Sequence, residues 1–534
     1  MKSPIKHIAI VGGGSSGWMT AAMLSKRFPN LKITLIESPD VPIIGVGEST
    51  LGSINLFLYL LGLKDEDWME YCNATHKLAI KFRDFYKKGE TFYYPFGLKD
   101  FKNTSNKIAD WFLKKLLNPD TPVTDFYDSF YWIMPLIYNN KICDNKFNQI
   151  PGFNFENDAA YHMDATLFGE FLKDRFCMPN GVNHISDHID YISVGSDGFL
   201  EHLELKNTGN FSADLYVDCS GFKSILLEQA MGVPFDSFSK WLPNNRAWVT
   251  HVPYNNKELE MENVTNCTAI GNGWVWNIPL YNRIGSGYVF SNKFISEELA
   301  LEEYKQYLDS DMMAYPKSDR SEGLEFRLIE IKNGKHAQAW KNNVVGIGLS
   351  YAFVEPLEST GLLSVQELIL LLCETLYNEQ ISKIHVQHFN FFAEHLMENF
   401  KSFVTYHYIP SSRRDTEYWQ HMTSNVEMNF KTDLGAEDIA RSFTVEHSIN
   451  NLNAQNGMSD IFVGMHMNPM NPLAFDWWKY GKSVEEGIQV PATGYYSQQT
   501  QSFWDQKKMQ ISNLAKKLPS HYQYLKEKIY NGKE

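Results

Sequence analysis

Two groups of residues have types and spacings that could do chemistry. Gly12-x-Gly14-x-x-Gly17 is followed by an acid, Glu37, at the end of the next apolar segment. Glycines at this spacing allow a tight turn, a close backbone approach to a pyrophosphate at a helix N-terminus, and close helix packing, while the acid can accept from a ribose hydroxyl. That is dinucleotide binding, and by itself it does not separate FAD from NAD. The segment Phe353-Val354-Glu355-Pro356-Leu357-Glu358-Ser359-Thr360-Gly361 sets two carboxylates in front of an apolar run, Gly361 to Leu376. Backbone N–H groups at the start of such a helix make an anion site, and Glu355 and Glu358 compete for the acidic role. Lys77 and Lys81 are ordinarily read as solvated, but an amine whose pKa is lowered by partial burial can act as acceptor or hydrogen-bond donor. Trp274-x-Trp276 in an alternating segment is ordinarily core. His385, His388 and His395 lack the partner set of a metal site, so no metal is expected.

The elements that must position these groups are legible in outline. Ile8-Ala9-Ile10-Val11 reads as a strand, Gly12 to Gly17 as a turn, Trp18 to Phe28 as a helix, and Lys32 to Ile36 as a second strand, which is a βαβ opening. Ala213 to Cys219 and Asn343 to Leu349 read as later strands of the same sheet. Alternation over Ser239 to Tyr254 and Thr268 to Pro279 predicts an antiparallel sheet facing the substrate. From about residue 364 onward the spacing is helical. The fold class is therefore α/β, with a Rossmann-like core over 1–375 that carries the inserted antiparallel sheet, and a mainly helical region over 376–534 that covers the substrate site.

Composition narrows the function. The 534 residues are 43% apolar and 14% aromatic, enough for a large core. Lys+Arg 49 against Asp+Glu 63 leaves a net charge of −14, which argues against nucleic acid or an anionic membrane surface as a partner. Six cysteines without CxxC spacing favour a reducing compartment, and the N-terminus lacks a signal-peptide pattern, so the cytoplasm is expected.

Further segments carry a family resemblance. Asp214 to Gly221 resembles the strand-to-glycine element of FAD-dependent hydroxylases, and Val344 to Ser350 sits where those proteins place the strand that meets the flavin. Gly273-Trp274-Val275-Trp276-Asn277-Ile278-Pro279 matches the WxWxIP signature of the flavin-dependent tryptophan halogenases. Gly45-Val46-Gly47-Glu48-Ser49-Thr50 matches their flavin strap, Phe353 to Gly361 their halide loop, and Asn73 to Phe82 the segment bearing their essential lysine. The resemblance runs from residue 5 to about 420, with Tyr406-His407-Tyr408 and Arg413 to Trp419 agreeing beyond the core.

The resemblance implies FAD, used as FADH2, with contacts from Gly12, Gly14, Ser15, Gly17, Glu37, Val46, Glu48, Ser49, Ile189, Leu349 and Leu362. It implies a halide ion (chloride, bromide or iodide) on the amides of Thr360 and Gly361, and catalysis by Lys77 and Glu358. The tryptophans would wall the flavin from the organic substrate, so that hypohalous acid travels to Lys77. No second glycine-rich unit is present for a nicotinamide, so FADH2 is expected from a separate flavin reductase. Where the family carries His-Ser-Phe-Gly this chain has Tyr94-Pro95-Phe96-Gly97, keeping Phe96 as a substrate-stacking residue. Met458 to Tyr480 shows no clamp for an amino-acid head group. These departures point to a small electron-rich aromatic, indole- or phenol-like, rather than free tryptophan. The alternative reading is an FAD-dependent aromatic hydroxylase (monooxygenase), and homo-oligomerisation is left open.

Overall fold

Residues 4–40, 47–97, 111, 114–115, 118–143, 150, 152–311, 313–378, 380–424, 455–466 and 498–533 are described by the computed structural model. The opening strand, His7–Val11, sits in the middle of a six-stranded sheet whose order is Trp340–Lys341, Val344–Gly346, Leu215–Asp218, His7–Val11, Lys32–Glu37, Asn183–Ser186. All neighbours are parallel except the hairpin pair at the Trp340–Lys341 edge. Ile8, Ala9 and Ile10 have no exposed surface, as a strand covered on both faces requires, and this is why the run is continuously apolar. The segments expected as strands at 213–219 and 343–349 pair here as Leu215–Asp218 and Val344–Gly346, each shorter than the apolar run because its end turns away over the sheet. Helix Ser15–Arg27 packs between the sheet and the helices Ala165–Phe171 and Thr360–Leu376.

The expected antiparallel layer is a seven-stranded sheet ordered Arg327–Glu330, Arg246–Val252, Ile284–Phe290, Gly273–Pro279, Val264–Ala269, Ala79–Arg83, Thr91–Pro95. Its one parallel pairing, Val264–Ala269 with Ala79–Arg83, joins the N-terminal segment to the insertion. The alternating run 268–279 proves to be two strands joined by a tight hairpin rather than one. Between the two large sheets lies a small one, ordered Glu48–Ser49, Ala160–Met163, Thr75–Lys77. In it Ser49 stands opposite His162, and His162 opposite Thr75.

The C-terminal region is helical where described, with Lys383–Thr405, Glu417–Ser424, Gln455–Gly464, Gln498–Ala515 and His521–Lys528. It packs into the same apolar core as the parallel sheet. Its last turns reach back to the strand before Lys77: His521 Nε2 accepts from the His76 N–H at 3.1 Å, and Tyr530 donates to the Ala74 carbonyl at 2.8 Å. Among the described residues no helix is long and apolar enough to cross a membrane. All six cysteines are buried.

Candidate active site

The glycine turn after the first strand is dictated by space. Gly12 has φ +118°, and a Cβ there would lie 2.2 Å from the Cys219 carbonyl oxygen, so only glycine lets the two strand ends meet. Gly14 is the N-cap of Ser15–Arg27, with no side-chain cap and no acid in the first turn, and a Cβ at Gly14 would meet nothing within 4 Å. The helix therefore presents free amides to open space, which fits the phosphates of a dinucleotide. Ser15 points its hydroxyl into the fold, donating to Ala165 O at 2.9 Å, so its ligand-facing group is the backbone amide. Glu37 ends the second strand and folds over Gly13. Burial alone would raise its carboxyl; donation from His184 (2.7 Å) and Lys173 (3.1 Å) outweighs this and holds it below the usual value.

Other residues assigned to the cofactor border the same end of the sheet. Ile189 begins a strand two residues after Asp187, whose N–H donates to the Glu37 carbonyl. Leu349 lies in the turn Gly348–Ser350, which abuts Ser16 at the start of the first helix. Leu362 is buried in the first turn of Thr360–Leu376. Burial pushes the Glu48 carboxyl up to about 7, and Ser49 follows it in the small sheet. Val46 lies outside the described residues, as do Gly45 and most of Met458 to Tyr480.

The second helix N-terminus is built differently. Ser359, at φ +57°, turns the chain from the short helical turn Pro356–Glu358 into Thr360–Leu376, again without a side-chain cap or an acid in the first turn. The Thr360 hydroxyl is buried without a hydrogen-bond partner, and a Cβ at Gly361 would meet nothing within 4 Å. This leaves unpaired donors that could hold an anion.

Beside it the two acids of the loop separate in role. Glu355 is fully satisfied: Tyr408 donates to Oε1 and Asn244 to Oε2, each at 2.6 Å. Glu358 is equally buried, yet neither of its oxygens receives a well-aligned hydrogen bond, although His407 Nε2 lies 2.5 Å from Oε1. His407 Nδ1 faces the Phe403 carbonyl at 3.1 Å, and a carbonyl only accepts, so Nδ1 carries a proton and one further proton must lie between Nε2 and Oε1. Burial raises the Glu358 carboxyl, opposed by His407 and Lys77.

Lys77 ends its strand with no exposed surface. Its amine donates to Thr50 O at 2.8 Å and to Ser359 Oγ at 2.9 Å, and it stands 5.0 Å from the centre of the Phe96 ring. Burial lowers its pKa to about 7, against the raising influence of Glu358 and Cys267. Lys81 is in another sheet, half-buried and paired with Glu262 at 3.4 Å, so the two lysines do not share a face. Phe96 and Tyr94 line a cavity of about 1120 Å³, as does Leu363. Trp274 and Trp276 sit side by side on their strand, ring centres 5.9 Å apart, with Trp276 opposite Cys267.

These features match a known family. The model of the tryptophan halogenase family covers residues 7–475. The chain belongs to that family. It is 34% identical to the tryptophan 6-halogenase SttH of Streptomyces toxytricini over 77% of this chain and 80% of that one. The apo structure of VirX1 superposes with a TM-score of 0.87 at 40% identity, covering 98% of this chain and 100% of that one. A tryptophan halogenase from Shewanella frigidimarina superposes at 0.83 with 27% identity, over 100% and 99% of the two chains. The protein is a flavin-dependent halogenase, an oxidoreductase that uses FADH2, O2 and a halide ion to halogenate an aromatic substrate and relies on a separate flavin reductase.

The halogenase site also contains residues that spacing did not single out. His407 lies in the Tyr406-His407-Tyr408 segment, which was the signal that could have found it. Thr265, His162 and the Thr50 carbonyl reach Lys77 and its neighbours only through strand pairing.

Proposed function

We propose that the protein halogenates an electron-rich, indole- or phenol-like aromatic at Lys77. The observation that carries this reading is a buried amine and a buried, poorly satisfied carboxylate beside an uncapped helix end, with Phe96, 5.0 Å from the amine, lining a cavity. FAD would be held by the amides after Gly14, by Gly12, Gly17 and Glu37, and by Glu48, Ser49, Ile189, Leu349 and Leu362; bound as FADH2, it supplies the reducing equivalents that let O2 oxidise halide.

The amides of Thr360 and Gly361 hold the halide, and the Trp274–Trp276 wall keeps the organic substrate away from the flavin. Hypohalous acid reaches Lys77, whose amine hydrogen-bonds it or accepts the halogen and presents it to the ring stacked on Phe96. Glu358, with His407 behind it, takes the proton that leaves the substituted carbon. In this reading residues 1–375 hold the cofactor and halide, and 376–534 close the substrate side, supplying His407. Six cysteines without CxxC spacing support a reducing, cytoplasmic setting.

The test is product mass. Purified protein with FAD, a generic flavin reductase, NADH and O2 is offered indole with chloride, bromide or iodide in separate reactions. A halogen mass increase supports the reading and ranks the halides, whereas an oxygen-only increase that ignores halide supports the hydroxylase alternative.

A further inference from the structure

A single row of buried polar groups runs inward from Lys77. Ser359 Oγ, which accepts from the lysine, lies 3.0 Å from Ser49 Oγ. Ser49 Oγ lies 2.7 Å from Thr265 Oγ1, and Thr265 Oγ1 2.8 Å from His162 Nε2. On the far side His162 Nδ1 lies 3.2 Å from Thr75 Oγ1, which is 2.6 Å from the Pro279 carbonyl oxygen. Ser49, His162 and Thr75 form one row across the small sheet; Thr265 enters from the seven-stranded sheet and Ser359 from the halide loop. All five are buried.

Proton counting fixes the direction of this row. A hydroxyl has one proton, and a carbonyl has none. Thr75 must therefore donate to Pro279 O, so its oxygen accepts from His162 and Nδ1 carries a proton. His162 has no exposed surface and faces the Lys77 amine; burial first, then Lys77 and His521, disfavour its cationic form. A neutral ring protonated at Nδ1 offers only a lone pair at Nε2. Thr265 then donates to His162, Ser49 to Thr265 and Ser359 to Ser49. What Ser359 shows to Lys77 is a lone pair.

We propose that His162 is a positioning residue for Lys77, its Nδ1–H tautomer aligning Thr265, Ser49 and Ser359 in one direction so that two N–H bonds of the amine are fixed and its third position is kept for the halogen species. Both partners of the amine, Ser359 Oγ and Thr50 O, are then acceptors only, and the remaining position is left to the groups that face it, Phe96 and Glu358. The inference rests on the reading of Lys77 as the halogen donor.

Thr265→Val removes one hydroxyl from the middle of the row and frees the Ser49 and Ser359 protons to reverse. The assay counts two things separately: hypohalous acid caught by an added scavenger, and halogenated indole. The expected result is total halide oxidation at the wild-type rate, a captured fraction lower by roughly tenfold, the size of one hydrogen bond to a charged group, and recovery in Thr265→Ser. Wild-type capture in Thr265→Val, or a loss that serine does not restore, overturns the inference. Lys77→Ala in the same assay separates the two layers: if it still captures halogen, the reading of Lys77 is what fails. Neutron diffraction from perdeuterated wild-type crystals decides the matter without any variant. A deuteron on His162 Nδ1 and none on Nε2 is expected; a deuteron on Nε2 contradicts the proposal.

Discussion

The helices Ser15–Arg27 and Thr360–Leu376 begin in the same physical state but in different surroundings. Both N-termini lack a side-chain cap, and both first turns lack an acid, so each exposes amide dipoles to whatever anion the surroundings admit. At the first, glycines clear the space and the nearest charged side chain, Glu37, is already held by Lys173 and His184. At the second, the donors are hemmed in by buried side chains: Ser359 tied to Lys77, Thr360 without a partner, and Glu358 three residues from the satisfied Glu355. The difference teaches that helix-end electrostatics supplies attraction, while the wall around it selects the anion. In the proposed reading the first end takes a pyrophosphate and the second a halide. It also shows where chemistry is placed, since the only buried amine beside either helix end, among the described residues, stands at the second.

The sharpest way to separate the two ends is through their side chains. Glu358→Gln is expected to lower product formation by about 10²- to 10³-fold with little change in melting temperature, because a proton acceptor is lost while the amide can still donate to His407 Nε2. Glu355→Gln should do the opposite, losing about 1–3 kcal/mol of stability because the amide keeps one acceptor oxygen and its NH2 meets the other donor, Asn244 or Tyr408, which thermal unfolding would register. If Glu355→Gln were the inactive variant and Glu358→Gln the unstable one, the assignment of the two acids would be reversed.

The first end is tested through its backbone. Gly14→Asp has room for its side chain, so the fold should survive, but the carboxylate would cap the helix in place of phosphate. FAD affinity should fall by about 10- to 100-fold in a fluorescence titration, while the melting temperature of the apo protein holds or rises. At the second end, Gly361→Pro removes one amide donor within a first turn that tolerates proline, and the halide KM should rise by about tenfold, whereas Gly361→Ala, which keeps the N–H, should not change it.

The last effect is on stability against pH. Burial places Lys77 at about 7 in the folded protein against an ordinary 10.5. Between these values the unfolded chain holds a proton that the native amine does not, so this group makes stability rise with pH, by at most about 1.4 kcal/mol per unit. Lys77→Met lacks that slope. Its lead over the wild type in urea titrations should be greatest near pH 7 and shrink toward pH 10.

How much of this could be read from sequence follows the same division. The Gly12–Gly17 turn was legible because backbone sterics demand glycine at fixed offsets, and Ile8 to Val11 because a strand covered on both faces must be apolar throughout. The Thr360–Leu376 helix was legible from its apolar run. Lys77 and Glu358 were singled out only through family resemblance, since no spacing distinguishes one lysine or one loop acid from another. That Lys77 and Lys81 do not share a face follows from the break at Leu78, where the chain leaves the small sheet for the large one. Thr265 and His162 carried no signal, because a hydroxyl or imidazole on a strand reveals nothing until cross-strand register places it.

The most direct test of the account is to follow the halogen in Lys77→Ala with FAD bound and reductase, NADH and O2 supplied. Halogenated product should fall by about 10³-fold or more while hypohalous acid caught by the scavenger stays within about twofold of the wild type. Product at the wild-type rate, or loss of halide oxidation together with product while FAD binding is intact, would contradict it.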